Sequence, residues 1–182
     1  MVIIMNQLIE KIRPVFLYIV LLNAGLYGGL HFSGLMSPLV FGIINPAGDL
    51  MPSIAWAASW QITNNFMSVR MGVYGQIILW SYVLTILLFV PRWKSAIFWL
   101  LIVAFGLFIA DIALTVQQQM PINQYIEKLN FKHITPEQAK RLAIMHPQVI
   151  RNFASREWFS IVEFALVSIT PFLRFNGRKL IA

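Results

Sequence analysis

The sequence predicts an all-α integral membrane protein. The expected form is an antiparallel four-helix transmembrane bundle, with an interfacial helix after the first span and a short helix in the third loop. Composition is the first observation behind this. Of 182 residues, 58% are hydrophobic and only 12% are charged, and the mean hydropathy is +0.70. Soluble domains carry about 25% charged residues, so the chain has half the charge that a water-facing surface needs. A soluble globular enzyme, a disordered protein and a nucleic-acid module are excluded on that ground. Distribution is the second observation. Residues 14–48, 71–91 and 95–110 hold no Asp, Glu, Lys or Arg, and 158–173 holds only Glu163. A crossing helix needs about 20 largely apolar residues. Spans of about 14–36, 71–91, 95–116 and 154–173 follow, within a single domain covering 1–182.

Pro14 suits the first turn of the first span, because the N–H it lacks would be unpaired there. No small-residue cleavage site follows the run, so an uncleaved helix is expected rather than a removed leader. Residues 50–70 are uncharged except for Arg70, yet they carry Ser53, Ser59, Gln61, Thr63, Asn64 and Asn65. Ile54, Ala58 and Ile62 recur at helical spacing, with Trp56 and Trp60 on an adjacent stripe. This segment reads as an interfacial or re-entrant helix. Pro91 ends the second span, and Arg92-Trp93-Lys94 makes a tight turn with an aromatic anchor. In the long third connection, Thr135-Pro136-Glu137-Gln138 reads as a helix start, with a Thr cap, a Pro in first position and a Gln three residues after the cap. Pro147 is expected to break that short helix.

The net charge is +7 and there are no cysteines. Disulfides, thiolate nucleophiles and cysteine-bound metals are therefore excluded. The basic residues sit beside apolar runs, where anionic headgroups and topology explain them. Placing the N-terminus inside puts Lys11, Arg13, Arg92, Lys94, Arg174, Arg178 and Lys179 on the inner side, clustered in short segments at span ends. That clustering predicts both termini in the cytoplasm.

Ionisable groups inside a span cost about 2.5–3.5 kcal/mol each at the helix centre, so they face a bundle interior or a cavity. His31, Asp111 and Glu163 are such groups. His31 and Asp111 both fall about 24–25 Å up their helices from the inner side. Arg156 opens the fourth helix from the outside, and Glu163 lies about 10 Å deeper. Asn23, Tyr27 and His31 form one stripe. Asp111, Thr115 and Gln118 form a second, followed by Asn123, and Arg156, Ser160 and Glu163 form a third. Gln76 and Tyr74 lie near the outer start of the second span. One cavity lined by His31, Asp111, Asn123, Arg156 and Glu163 is expected, with Asp111 as the partner of Arg156. Gly25, Gly28 and Gly29 are expected to face protein. The histidines at 133 and 146 lie in the hydrophilic loop, where no role is expected. A single membrane His with two carboxylates lacks metal-ligand spacing, so no metal is expected. No nucleophile elbow accompanies Ser33 or Ser37 near His31.

Two stretches resemble a family of small four-span membrane proteins that includes the fungal anthrone oxygenases and many bacterial members. One is Gly25-Leu-Tyr-Gly-Gly-Leu-His-Phe-Ser-Gly-Leu-Met-Ser-Pro38 with the Trp56 and Trp60-Gln61 region. The other is Pro121-Ile-Asn123 with Arg156 opening the last helix. The chain departs from the family in having no Trp just before Arg156. The resemblance implies a bacterial cytoplasmic membrane protein and a lipid-accessible site for a planar hydrophobic molecule. It also implies oxidation by dioxygen without metal or flavin cofactor. On that reading His31 is the base, because its free pKa lies near neutrality. Arg156 and Asn123 steady an oxyanion, while Tyr27, Gln76, Asp111, Gln118 and Glu163 bind or orient the substrate. The competing reading is a non-catalytic membrane protein that binds a lipid or quinone or supports a membrane complex, with the polar residues as structural glue. Transport is disfavoured, since the polar groups gather on one side.

Overall fold

The computed structural model describes residues 2–36 and 51–176. Of the features above, Ser37, Pro38, Gly48, Arg178 and Lys179 lie outside them. The described residues are almost wholly helical, without a strand. The helices are α1 (Val2–Met36), α2 (Ser53–Phe89), α3 (Ala96–Leu114), α4 (Met120–Glu127) and α5 (Pro136–Asn176). Three stretches, Gln7–Ser33, Ser53–Arg92 and Ala96–Glu127, are long and apolar enough to cross a membrane. The run 158–173, uncharged but for Glu163, belongs to the last part of α5, which lies against α1 and α3.

Neighbours alternate in direction. Near one end, Arg13 of α1 donates from Nε to the carbonyl of Leu88 at the close of α2 (2.7 Å). Further along, Tyr74 of α2 donates to the carbonyl of Asn23 (3.0 Å). The Arg13 bond satisfies one of the carbonyls that a helix C-terminus leaves unpaired. Glu10 accepts from both Arg13 and Arg92, which joins two of the expected inner charges at one end of the bundle. The α2–α3 link is as tight as predicted. A 3₁₀ turn, Val90–Arg92, carries Pro91, and the Ser95 hydroxyl caps α3 by accepting from the Phe98 N–H (3.3 Å).

Three boundaries differ from the sequence reading. Pro14 does not begin the first helix; it lies inside α1. A proline costs its helix one backbone bond, and neighbouring helices make that tolerable. Residues 50–70 do not form a separate interfacial helix, because α2 runs unbroken for 37 residues. At 1.5 Å per residue it is about 55 Å long, well beyond a hydrocarbon core of about 30 Å. Its polar first half is therefore a continuation of the helix that carries the apolar run 71–89. Likewise Pro147 does not break a helix, since α5 passes through it to Asn176. The cap upstream is as predicted: the Thr135 N–H donates to Gln138 Oε1 (2.9 Å) and the Gln138 N–H to Thr135 Oγ1 (3.2 Å).

The packing explains the extension. One apolar core lies along the bundle, with Leu17, Val20, Ala24, Ile78, Tyr82, Leu101, Phe108 and Val167 at its centre. A second core joins the start of α2 to α4 and the start of α5, through Trp56, Trp60, Ile122, Ile126, Leu142, Val149 and Phe153. Trp56 and Trp60 are thus interior residues rather than membrane-belt residues, whereas Ile54 and Ile62 are exposed. Trp93 and Trp158 are exposed.

The glycine stripe divides. At Gly28 an added Cβ would meet the Ser160 carbonyl and Phe164 Cβ, each at 3.3 Å, and at Gly25 it would meet the Phe164 ring at 3.2 Å. At Gly29 it would meet nothing within 4 Å, so Gly29 does not face protein. Gly28→Leu is expected to destabilise by about 1–3 kcal/mol through overpacking against backbone. Gly29→Ala should be neutral or stabilising by up to about 1 kcal/mol, through helix propensity. Thermal unfolding in one detergent compares the two, and equal midpoints would refute the α1–α5 contact.

Candidate functional site

Asn23, Tyr27 and His31 are all buried, as their spacing predicts. Asp111 is the hub, at 1% exposure near the end of α3. Arg156 Nε donates to Asp111 Oδ1 (2.6 Å), and the Tyr27 hydroxyl donates to Oδ2. His31 Nε2 lies 3.9 Å from the same Oδ2, beyond hydrogen-bond reach, and that buried nitrogen has no other partner. The imidazole meets the Tyr27 ring edge-on, with centroids 4.7 Å apart. Two helices, α1 and α5, so bring three polar side chains to the carboxylate of α3. An ion pair taken out of water is stable only when its remaining lone pairs are hydrogen-bonded, and Tyr27 supplies that bond.

Glu163 is buried but joins a different partner. Tyr82 of α2 donates to its Oε1 (2.8 Å), and Oε2 carries no hydrogen bond. The Phe108 ring lies between the two groups, 5.7 Å from Tyr27 and 6.1 Å from Tyr82. Tyr82 gave no sequence signal beyond being a tyrosine inside a span.

Asn123 does not line the His31 cluster. Its Oδ1 accepts from Trp60 Nε1 and Gln119 Nε2, both at 2.9 Å, and its Nδ2 donates to Asn64 Oδ1 (2.8 Å). Asn152 Nδ2 completes the network by donating to Gln119 Oε1 (3.3 Å). Twelve residues separate Asn123 from Asp111, about 18 Å along a helix. The residues of the expected single cavity are therefore divided among three polar groups: the Asp111 assembly, the Tyr82–Glu163 pair and the Asn123 network. Gln61 lies near the last of these: its amide donates to the carbonyls of Ile126, Glu127 and Leu129 at the end of α4.

Two predicted lining residues point elsewhere. Gln76 is exposed on α2, and Gln118 is exposed while Gln119 is buried. The second displacement has a local cause. Residues Thr115–Gln119 form a π turn, placed directly before Pro121 in α4. Proline has no N–H, and its ring crowds the carbonyl four residues earlier. A wider turn relieves that crowding, and π turns recur at functional sites. The extra width moves the inward position from Gln118 to Gln119. Thr115, which shares the Asp111 face, keeps a buried hydroxyl oxygen without a partner.

His146, for which the sequence predicts no role, is 2% exposed. Its ring stacks on Trp56 at 4.5 Å and 10°, Nδ1 lies 3.5 Å from Ser53 Oγ, and Nε2 is unpartnered. Burial lowers its pKa from the ordinary value near 6.5. A depressed histidine pKa means that the unfolded chain binds the proton more readily. The stabilisation is therefore fully present above about pH 6.5 and is lost as pH falls below it. Thermal midpoints from pH 8 to pH 5 should fall more steeply for the native protein than for His146→Gln. Parallel curves would refute the assignment. His133, by contrast, is exposed, as expected.

No protein-family model, curated protein or solved structure matches the chain. Its chemistry therefore rests on its own residues. Among the described residues, no three His, Asp or Glu side chains group as metal ligands. What the Asp111 assembly offers is one unbonded imidazole nitrogen beside a fixed cation–anion pair. That is a place where a proton can be taken up next to a guanidinium that favours negative charge.

Proposed function

We propose that the chain is a four-span membrane protein with both termini cytoplasmic, whose Tyr27–His31–Asp111–Arg156 assembly abstracts a proton from a hydrophobic phenolic or polycyclic substrate for oxidation by dioxygen. The last part of α5 is its fourth span. The observation that carries the reading is the unbonded Nε2 of buried His31 beside the Asp111–Arg156 pair. The resemblance to anthrone oxygenases supplies the reaction class. An acidic methylene gives its proton to His31 Nε2, and Arg156 favours the resulting phenolate-like anion. The anion's electron pair forms a C–O bond to dioxygen, the resulting peroxide anion takes the proton back from His31, and the hydroperoxide then loses water to leave a ketone. One O₂ is consumed and one H₂O formed for each CH₂ converted to C=O. Asp111 holds Arg156 and Tyr27 in position and takes no part in bond making. Asn123 leaves the catalytic set, because its amide is committed to Trp60, Gln119 and Asn64.

Oxygen uptake by the protein in phosphatidylcholine nanodiscs, with anthrone as probe, tests this. The expected result is uptake above spontaneous autoxidation, at one O₂ per anthrone. A rate equal to that of empty nanodiscs would discard the oxygenase. The second reading, a non-catalytic lipid- or quinone-binding protein, is favoured by the closed bonding of Asp111 to Tyr27 and Arg156. It is the reading that remains if no uptake occurs.

A further inference from the structure

The outward face of α2 holds an amide that the fold leaves without a partner. Gln76 lies in the uncharged run 71–91 and belongs to the membrane-crossing stretch Ser53–Arg92. Sixteen residues separate it from Arg92, about 24 Å along the helix. That is within the roughly 30 Å that a hydrocarbon core measures from a turn at its face. Its neighbours fix its direction. Two residues before it, the Tyr74 hydroxyl donates to the Asn23 carbonyl of α1 (3.0 Å), and two residues after it Ile78 is fully buried. Successive helix positions turn by about 100°, so Gln76 points away from the bundle, and it is exposed. Its amide makes no hydrogen bond to any described residue. Water would satisfy such an amide at a soluble surface. In hydrocarbon, leaving its donors and its acceptor unpaired is costly.

Four positions share that face. Asn65, Val69, Gly72 and Gln76 recur at the three- and four-residue intervals that line up helix side chains in one row. All four are exposed, and Asn65 also has no side-chain partner among the described residues. An added Cβ at Gly72 would meet nothing within 4 Å. A glycine inside a helix weakens it through backbone entropy, and nothing within the described residues packs on Gly72 in return. Val69 and Val73, 72% and 60% exposed, stand beside the gap. The face therefore has a notch where another helix can approach closely, with an amide one turn beyond it. Close approach at small residues and hydrogen bonds between polar side chains are what associate helices in lipid, where apolar burial supplies little driving force.

We infer that α2 pairs with α2 of a second copy of the chain, forming a parallel homodimer in the membrane with Gly72 at the crossing and the two Gln76 amides bonded to each other. Self-complementarity identifies the occupant. Copies insert in the same direction, so a twofold axis along the membrane normal sets each residue of the seam opposite itself. A Gln amide carries two N–H donors and a carbonyl acceptor, so two facing amides satisfy each other. A lipid tail offers neither donor nor acceptor at that depth. A different protein would have to bring an amide in register with Gln76 and a small residue in register with Gly72. The second copy carries both by construction. The chemistry proposed for the Asp111 assembly has no part in this seam.

The experiment uses the full-length chain in phosphatidylcholine liposomes. Dimer fraction is read by energy transfer between donor- and acceptor-labelled copies across a range of protein-to-lipid ratios. Transfer is expected to rise with that ratio and to fall when unlabelled protein is added. Gln76→Leu should move the midpoint by about threefold or more toward higher protein, the loss of an interhelical amide contact in lipid. Gly72→Leu should move it at least as far, by holding the helices apart. Gln76 has no polar partner among the described residues and Gly72 faces open space, so neither variant should unfold earlier than the native protein. The chain has no cysteine, which allows the face to be mapped. Oxidation with copper–phenanthroline should link Val69→Cys copies, and Gly72→Cys copies, into a species of twice 20.9 kDa. Phe66→Cys and Ile77→Cys, exposed but about a quarter turn around the helix, should stay single. Midpoints unmoved by Gln76→Leu and Gly72→Leu, or equal linking at all four positions, overturn the inference. A chain that stays monomeric at every ratio overturns it as well and leaves a different membrane protein as the partner of Gln76.

Discussion

Arg156→Ala is expected to lower the stability of the folded protein by about 3–5 kcal/mol, the cost of stranding one charge of a buried pair. Asp111 is 1% exposed and takes its charged hydrogen bond from Arg156 Nε. Tyr27 stays on the other oxygen, but a neutral hydroxyl does not balance a buried anion. The double variant Asp111→Asn, Arg156→Gln removes both charges and keeps polar groups of similar size. It should recover most of the loss, since a buried ion pair is often replaceable by neutral partners at little net cost. Unfolding of the three proteins in the same detergent forms the comparison. A double variant as unstable as Arg156→Ala would mean that the pair is not the unit that matters. Only activity separates glue from site. If the assembly catalyses, the double variant folds and yet loses oxygen uptake, because no guanidinium remains to favour the anion.

His31→Gln is expected to act the opposite way, leaving stability nearly intact while removing turnover. The imidazole Nε2 makes no hydrogen bond, so losing it strands no partner. Gln is close in size and polarity but offers no basic nitrogen. General base catalysis contributes typically 10²–10⁴-fold, and that is the expected drop in anthrone-dependent oxygen uptake. Tyr27 would keep its bond to Asp111. A variant with full uptake would move the base elsewhere. A variant that fails to fold would show His31 to be a packing residue instead. His31→Asn, smaller still, separates these outcomes: a mere loss of volume would destabilise it further, and a lost base would not.

The membrane-protein reading and most helix contents were legible because they depend on composition and local period. Burying charge in hydrocarbon is so costly that uncharged runs mark crossing segments before any fold is known. The Thr135–Gln138 cap, the turn at Arg92–Lys94 and the inward stripe of Asn23, Tyr27 and His31 are all set by residues within a few positions of one another. The Asp111–Arg156 pair was also legible, since two opposite charges at similar depth have little choice of partner.

Tertiary packing decided the rest. Pro14 and Pro147 look like helix ends in sequence because a proline always loses one backbone bond. They remain interior because the flanking residues are held from outside: Arg13 on the Leu88 carbonyl, and His146 and Val149 within the second core. The polar stretch 50–70 looked interfacial because its amides had no visible partners. Those partners are Asn123 and the carbonyls at the end of α4, brought over from more than 50 residues away. The exchange of Gln118 for Gln119 follows from a π turn, which a fixed 3.6-residue period does not contain. Local sequence thus determined which segments are helical and which groups are too polar for lipid. The contacts between distant helices decided where each helix stops and which polar group meets which, because the free energy of satisfying a buried group is released only when its partner arrives.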